Sequence, residues 1–261
     1  MSVVRSVVFP LLLAFSFGAQ ALEKNTENTT YPTLRVFTNT HPPYSYVDHN
    51  GEPVGIATDH VRAFLDRAGV PYEITVVGWK RALQSASLEK NTLIYSLNRI
   101  PEREDQFHWI MPLNQKKLTI YIRNGEGAPQ DIPSLVHGDY RAVCNMGSSQ
   151  CEFFEKLKLP QRSVMAVPAL PVGGQTNLLL GGRADLMLAD KTVVAWYVSQ
   201  GSVGSGALRS LGEIDVDVLD YLAAGKNIDA KLLDALMSAL RGGSYTSPET
   251  SPEKSQETKT D

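Results

Sequence analysis

Between Leu34 and Tyr95 two sequence periods alternate, and nothing else in the chain constrains the fold as tightly. Leu34-Arg35-Val36-Phe37-Thr38 is a short alternating run that reads as a strand. Val61, Phe64, Leu65 and Ala68 then recur at i, i+3, i+4 and i+7, one face of a helix, which Gly69 and Pro71 stop. Tyr72 to Val77 is strand-like again, Trp79, Ala82, Leu83 and Ala86 repeat the helical spacing, and Leu93 to Tyr95 is a third apolar run. Strand, helix, strand, helix, strand closes most simply as a parallel sheet with crossover helices. The fold class expected from this stretch is α/β.

The pattern resumes downstream. Leu118 to Ile122 reads as a strand, and Asn124-Gly125 ends it. Tyr140 to Met146 reads as a strand running into Gly147-Ser148-Ser149-Gln150, with a helix through Phe153, Phe154 and Leu157 after it. A helix over Thr176 to Leu180 stops at Gly181-Gly182, and Ala184 to Asp190 is a strand ending in a carboxylate. Val218 to Ala223 is a further strand. Asp229 caps a helix whose apolar face carries Leu232, Leu233, Leu236 and Leu240. No repeat at a fixed period is present.

Both ends differ from this body. Arg5, the apolar run Val7 to Phe17 and Ala19-Gln20-Ala21 make a secretory signal pattern, so residues 1–21 are expected to be removed on export to the periplasm. Residues 22–31 read as a polar leader. Residues 244–261 are rich in Ser, Thr, Pro, Glu and Lys, with Tyr245 their only large apolar residue, a composition unable to bury enough surface to order itself. The net charge of −3, with no basic tract, argues against nucleic acid as a partner. Cys144 and Cys151 read either as a disulfide, which an oxidising compartment would allow, or as two packed thiols. Two Cys without a nearby His cannot close a zinc site, and no metal or cofactor is expected.

The stretch Ser96-Leu97-Asn98-Arg99-Ile100-Pro101-Glu102-Arg103 carries the chemistry. A strand stops in short hydrogen-bonding side chains, Pro101 pre-sets a helical turn, and a guanidinium follows within it. Such a device suits a carboxylate, because Arg offers a bidentate fork. The structural alternative is a surface Arg in a connecting loop.

This stretch resembles the ligand loop of the periplasmic solute-binding proteins of polar-amino-acid ABC transporters, bacterial extracellular solute-binding family 3. The resemblance runs from about Leu34 to about Tyr245. It also takes in the Pro42-Pro43-Tyr44 loop, the Gly147-Ser148-Ser149 turn and the Gly182-Arg183-Ala184-Asp185 segment leading to Asp190. It implies a two-lobed, type II periplasmic-binding-protein-like α/β fold. Each lobe is a mostly parallel sheet flanked by helices: residues 32–119 with 222–243 form lobe one, and 120–221 lobe two. It implies ligand positions at Ser96, Asn98, Arg103, Ser148, Ser149 and Asp190, with Arg103 preferred to Arg99 by its offset. His41 and Trp79 are candidate cleft walls, and both serve equally well in purely structural roles. Ile100, Asn98 and Lys90-Asn91-Thr92 depart from the family pattern. A monomer that captures an amino acid by cleft closure and delivers it to a membrane permease is the function implied, and a sensor partner would suit the same chain. The alternative is an enzyme resembling cyclohexadienyl dehydratase, with Glu102 or Asp190 as its acid.

Overall fold

The computed structural model describes residues 31–168 and 173–243. The expected signal segment, the expected leader before Tyr31 and the 244–261 segment lie outside them. The described chain opens with β1 (Leu34–Thr38), a hairpin of β2 (Tyr46–Val47) and β3 (Pro53–Val54), α1 (Ile56–Ala68), β4 (Tyr72–Val76), α2 (Trp79–Leu88) and β5 (Thr92–Asn98). Helix α1 ends where its sequence dictates: Gly69 adopts φ 65°, the left-handed conformation that a residue without Cβ enters at no steric cost, and its N–H returns to Asp66 O.

A 3₁₀ turn (Pro101–Gln106) leads into β6 (Phe107–Arg123), and then come α3 (Ile132–His137), β7 (Ala142–Asn145), α4 (Ser149–Lys156) and β8 (Val164–Val167). The chain continues through α5 (Gly174–Leu180), β9 (Leu186–Ala189), α6 (Lys191–Ser199), β10 (Leu208–Gly225) and α7 (Ala230–Gly242). The main sheet has eight strands in the order β4-β1-β5-β10-β6-β9-β7-β8. At one end β1 pairs parallel with β4 and β5, and at the other β7 pairs parallel with β8 and β9. The antiparallel pairs β5–β10, β10–β6 and β6–β9 join the two ends.

Strands β6 and β10, 17 and 18 residues long, run through both halves of the sheet. The sequence pattern predicts only their 118–122 and 218–223 portions. The polar run Asn114 to Lys117 hides the rest, because a strand near a solvated cleft need not alternate with apolar residues. Helix α1 packs Val61, Phe64 and Leu65 against Leu93, Met111 and the α7 residues Leu232 and Leu236. Helix α2 packs Ala82 and Ala86 with Phe37, Ile94 and Phe107. At the far end Phe153 and Phe154 of α4 cover Cys144, Leu186 and Leu188. Cys144 and Cys151 form a disulfide with Cα atoms 5.4 Å apart, tying the end of β7 to the first turn of α4 across Gly147 and Ser148.

Candidate functional site

A cavity of about 70 Å³ lies where the ends of β5, β7 and β9 face one another beside the two long strands. Of the eight residues expected at a site, seven line it: His41, Trp79, Ser96, Asn98, Ser148, Ser149 and Asp190. Asn39, Lys116, Asn145 and Gln150, which sequence reasoning did not single out, complete its polar wall. A second cavity of about 70 Å³ adjoins it and shares His41, Asn145, Gln150 and Ala189.

Ser96 reaches the cavity through a β-bulge. Between the pairs Ile94↔Ala223 and Leu97↔Tyr221, two residues of β5 oppose one of β10. Ser96 takes φ 58°, an uncommon conformation for a residue with a Cβ. The bulge changes the facing of the strand: Leu93 and Tyr95 pack in one apolar cluster, whereas Ile94 and Leu97, an odd number of residues apart, share another. The strand therefore does not stop at Ser96, as its polar residues suggest, but continues through Asn98. Strain of this kind, of order 1–3 kcal/mol, persists only where surroundings enforce it and is frequent at functional sites.

Asp190 divides its two oxygens between tasks. Oδ1 caps α6, accepting from Thr192 N at 2.8 Å and Val193 N at 3.1 Å, and it also accepts from the Tyr44 hydroxyl at 3.3 Å. Oδ2 is buried and has no protein partner. Burial and this carboxylate push the Tyr44 phenol up to about 12, so it stays a donor.

The floor is a polar chain. Ser149 Oγ donates to Asn98 Oδ1, and Asn98 Nδ2 donates to Asp220 Oδ1. Lys116 Nζ lies 2.6 Å from Asp220 Oδ2 and 3.4 Å from His41 Nε2. Lys116 and Asp220 are diagonal neighbours across β6 and β10, where Lys116 pairs with Val218 and Asp220 with Asn114; the Asp220 side chain is completely buried and that of Lys116 is 9% exposed. Burial pulls the Lys116 ammonium down, but Asp220, Asp190 and Tyr44 together outweigh it and hold it above its usual range. Reading the strand period backwards from Leu118 would have found it, since Asn114, Lys116 and Leu118 share a face.

Because an ammonium can only donate, His41 Nε2 accepts and the imidazole is neutral. Burial first, and Lys116 second, lower its pKa to about 3, with Asp190 opposing. The sign follows: between pH 6.5 and 3 the unfolded chain takes up a proton here that the folded chain does not, so stability falls as pH falls through that window. His41 is only half-buried, so we expect about 1–2 kcal/mol of its contribution to be lost between pH 7 and pH 5. Urea unfolding of the wild type and of His41→Asn at both pH values checks this; equal losses in the two proteins refute it.

Arg103 is buried beside the cavity but does not line it. Its Nη2 donates to Gly147 O at 3.1 Å, its Nη1 to Asn98 O at 3.4 Å, and its guanidinium lies 5.8 Å from the Trp79 ring centroid. Trp79 Nε1 donates to the same Gly147 carbonyl at 3.0 Å. Gly147 presents that oxygen from a left-handed φ of 76°. Arg99, the alternative guanidinium, instead pairs with Glu104 on the exposed side, between the rings of Trp109 and Tyr221. Glu102 and Arg81 are exposed as well.

This arrangement defines a class of protein, a ligand-binding receptor of the type II periplasmic-binding-protein fold. Residues 34–246 match the model of bacterial extracellular solute-binding proteins, family 3, and the chain belongs to that family. No curated protein matches in sequence. Similar solved structures include an ancestral arginine-binding protein bound to arginine, at 21% identity and TM-score 0.68, covering 82% of this chain and 93% of that one. The arginine-, lysine-, histidine-binding protein ArtJ from Geobacillus stearothermophilus is similar at 19% identity and TM-score 0.69, covering 81% and 89%. A histidine kinase sensor domain with similarity to periplasmic binding proteins has 16% identity and TM-score 0.69, covering 81% and 90%. Among the described residues no helix is long and apolar enough to cross a membrane.

Proposed function

We propose that this chain is an exported receptor that captures an α-amino acid between two lobes and presents it to a membrane permease. One observation carries the reading. Three buried side-chain atoms without a protein partner, Ser96 Oγ, Ser148 Oγ and Asp190 Oδ2, belong to residues lining a single cavity. Each such atom costs of order 1–3 kcal/mol until it is satisfied. A carboxylate oxygen asks for an ammonium. Two hydroxyls, one of them on Ser148 at the residue before α4 and its first amides, ask for an anion. An α-amino acid carries both groups on one carbon.

The partners divide between residues 32–119 with 222–243 and residues 120–221, the two lobes of the proposal, with β6 and β10 as the hinge. Ser96, Asn98, His41, Trp79 and Arg103 belong to the first, and Ser148, Ser149 and Asp190 to the second. Binding then draws the lobes together. The bonds from Arg103 and Trp79 to Gly147 O are the closure contacts, and Arg103 adds positive charge near the ligand carboxylate. The amino-terminal signal pattern and the family support export. The sensor-domain neighbour supports a second destination for the same receptor, a membrane-bound signalling partner.

Calorimetry against the free amino acids tests the proposal, with a matched set of carboxylic acids and amines as controls. Binding requires both charged groups. Arg103→Ala weakens it at least about tenfold, the equivalent of one charge-assisted hydrogen bond. A chain that binds no amino acid, or binds simple amines equally well, is not such a receptor.

A further inference from the structure

The two adjoining cavities differ in charge. The first is lined by one cation, Lys116, and one carboxylate, Asp190. The second has no charged side chain among its described residues apart from the neutral His41, which it shares. Its uncharged polar side chains are the amides of Asn145, Gln150 and Gln175 and the hydroxyls of Thr40, Thr176 and Tyr197. The Tyr197 oxygen accepts from Gly173 N at 2.8 Å, so its own O–H remains free to donate.

On the amino-acid reading above, the ligand ammonium takes Asp190 Oδ2, the only unpartnered carboxylate oxygen in the lining. No described residue of either cavity then supplies a carboxylate for a second cation. Lys116 lines the first cavity with Asp190, its ammonium directed to Asp220 and His41 and 5.0 Å from the Tyr44 ring centroid. We propose that Lys116 sets the specificity of this receptor: it excludes α-amino acids with cationic side chains, and the second cavity takes a side chain bearing an uncharged amide or hydroxyl.

The test uses ligand pairs matched in size, so that steric fit cancels: citrulline against arginine, and homoserine against 2,4-diaminobutyrate, by calorimetry on the wild type. In each pair the cationic member binds at least about tenfold more weakly, since like charges brought together in a desolvated site are strongly disfavoured. In the double variant Lys116→Met/Asp220→Asn, which removes the cation without leaving its buried partner charged, the ratio falls to about threefold or less, or reverses. A cationic ligand that equals or exceeds its neutral partner in the wild type overturns the proposal. So does glutamate binding more tightly than glutamine, or a double variant that keeps the full ratio. If the double variant does not fold, the wild-type pairs still decide. If neither these ligands nor glycine or alanine bind at all, it is the amino-acid reading that has failed, and this inference falls with it.

Discussion

Asp190→Asn leaves the melting temperature nearly unchanged, weakens the binding of an α-amino acid by roughly ten- to a hundredfold, and spares the des-amino analogue. The expectation comes from the separate work of the two oxygens. Oδ1 caps α6 through Thr192 N and Val193 N, and Asn caps a helix as well as Asp does. Oδ2 is the group an ammonium would meet, and the amide that replaces the carboxylate has no charge to offer it. A charge-assisted hydrogen bond contributes about 1.5–3 kcal/mol, which sets the size of the loss. Asp190→Ala makes the contrast: it removes the cap too and costs about 1 kcal/mol of stability besides. Calorimetry and thermal unfolding of both variants are the measurements. If Asp190→Asn hurts amine and des-amino ligands alike, Oδ2 does not hold an ammonium.

What could be read without coordinates tracks how each feature is encoded. The βαβαβ unit from Leu34 to Tyr95 was legible because both of its periods are written in apolar residues, and Gly69 and Pro71 punctuate it. Helix α6 was missed. Six of its nine residues, Lys191 to Ser199, are apolar or aromatic and the three polar ones sit at its ends, so no polar face announces the period. Its start was still visible in principle, since Asp190 is an N-cap residue two positions before Thr192. The site divides in the same way. Residues at strand ends and turns, Ser96, Ser148, Ser149 and Asp190, stand at positions the resemblance names, and the fold brings them to one cavity. Lys116 and Asp220 sit inside long strands, where a charged residue reads as a solvated edge. The strand period carried back from Leu118 reaches Lys116, but its pairing with Asp220, about a hundred residues away, is stated by no local pattern. The bulge at Ser96 is invisible for the same reason: it is a property of the β5–β10 register, not of β5 alone.

That buried pair carries the largest expected effect on stability. Lys116→Met keeps most of the side-chain volume but leaves Asp220, which has no solvent exposure, without its counter-charge. Removing one partner of a buried ion pair costs about 3–5 kcal/mol, because the remaining charge stays desolvated. The loss has a characteristic pH dependence. Burial already raises the Asp220 pKa and Lys116 opposes that rise, so without the lysine the carboxyl moves further up. A group whose folded pKa exceeds its unfolded value binds a proton on folding, and the penalty shrinks as pH falls through the raised pKa. Lys116→Met therefore recovers stability relative to the wild type between pH 7 and pH 5. Asp220→Asn added to Lys116→Met removes the orphaned charge at any pH and keeps an oxygen for Asn98 Nδ2, so the double variant regains most of the loss. Urea unfolding of the wild type, both single variants and the double variant closes a mutant cycle, with a coupling of at least about 2 kcal/mol expected. A Lys116→Met protein that loses less than about 1 kcal/mol, with no pH dependence of the difference, would show that the floor of the cleft does not depend on a charged pair.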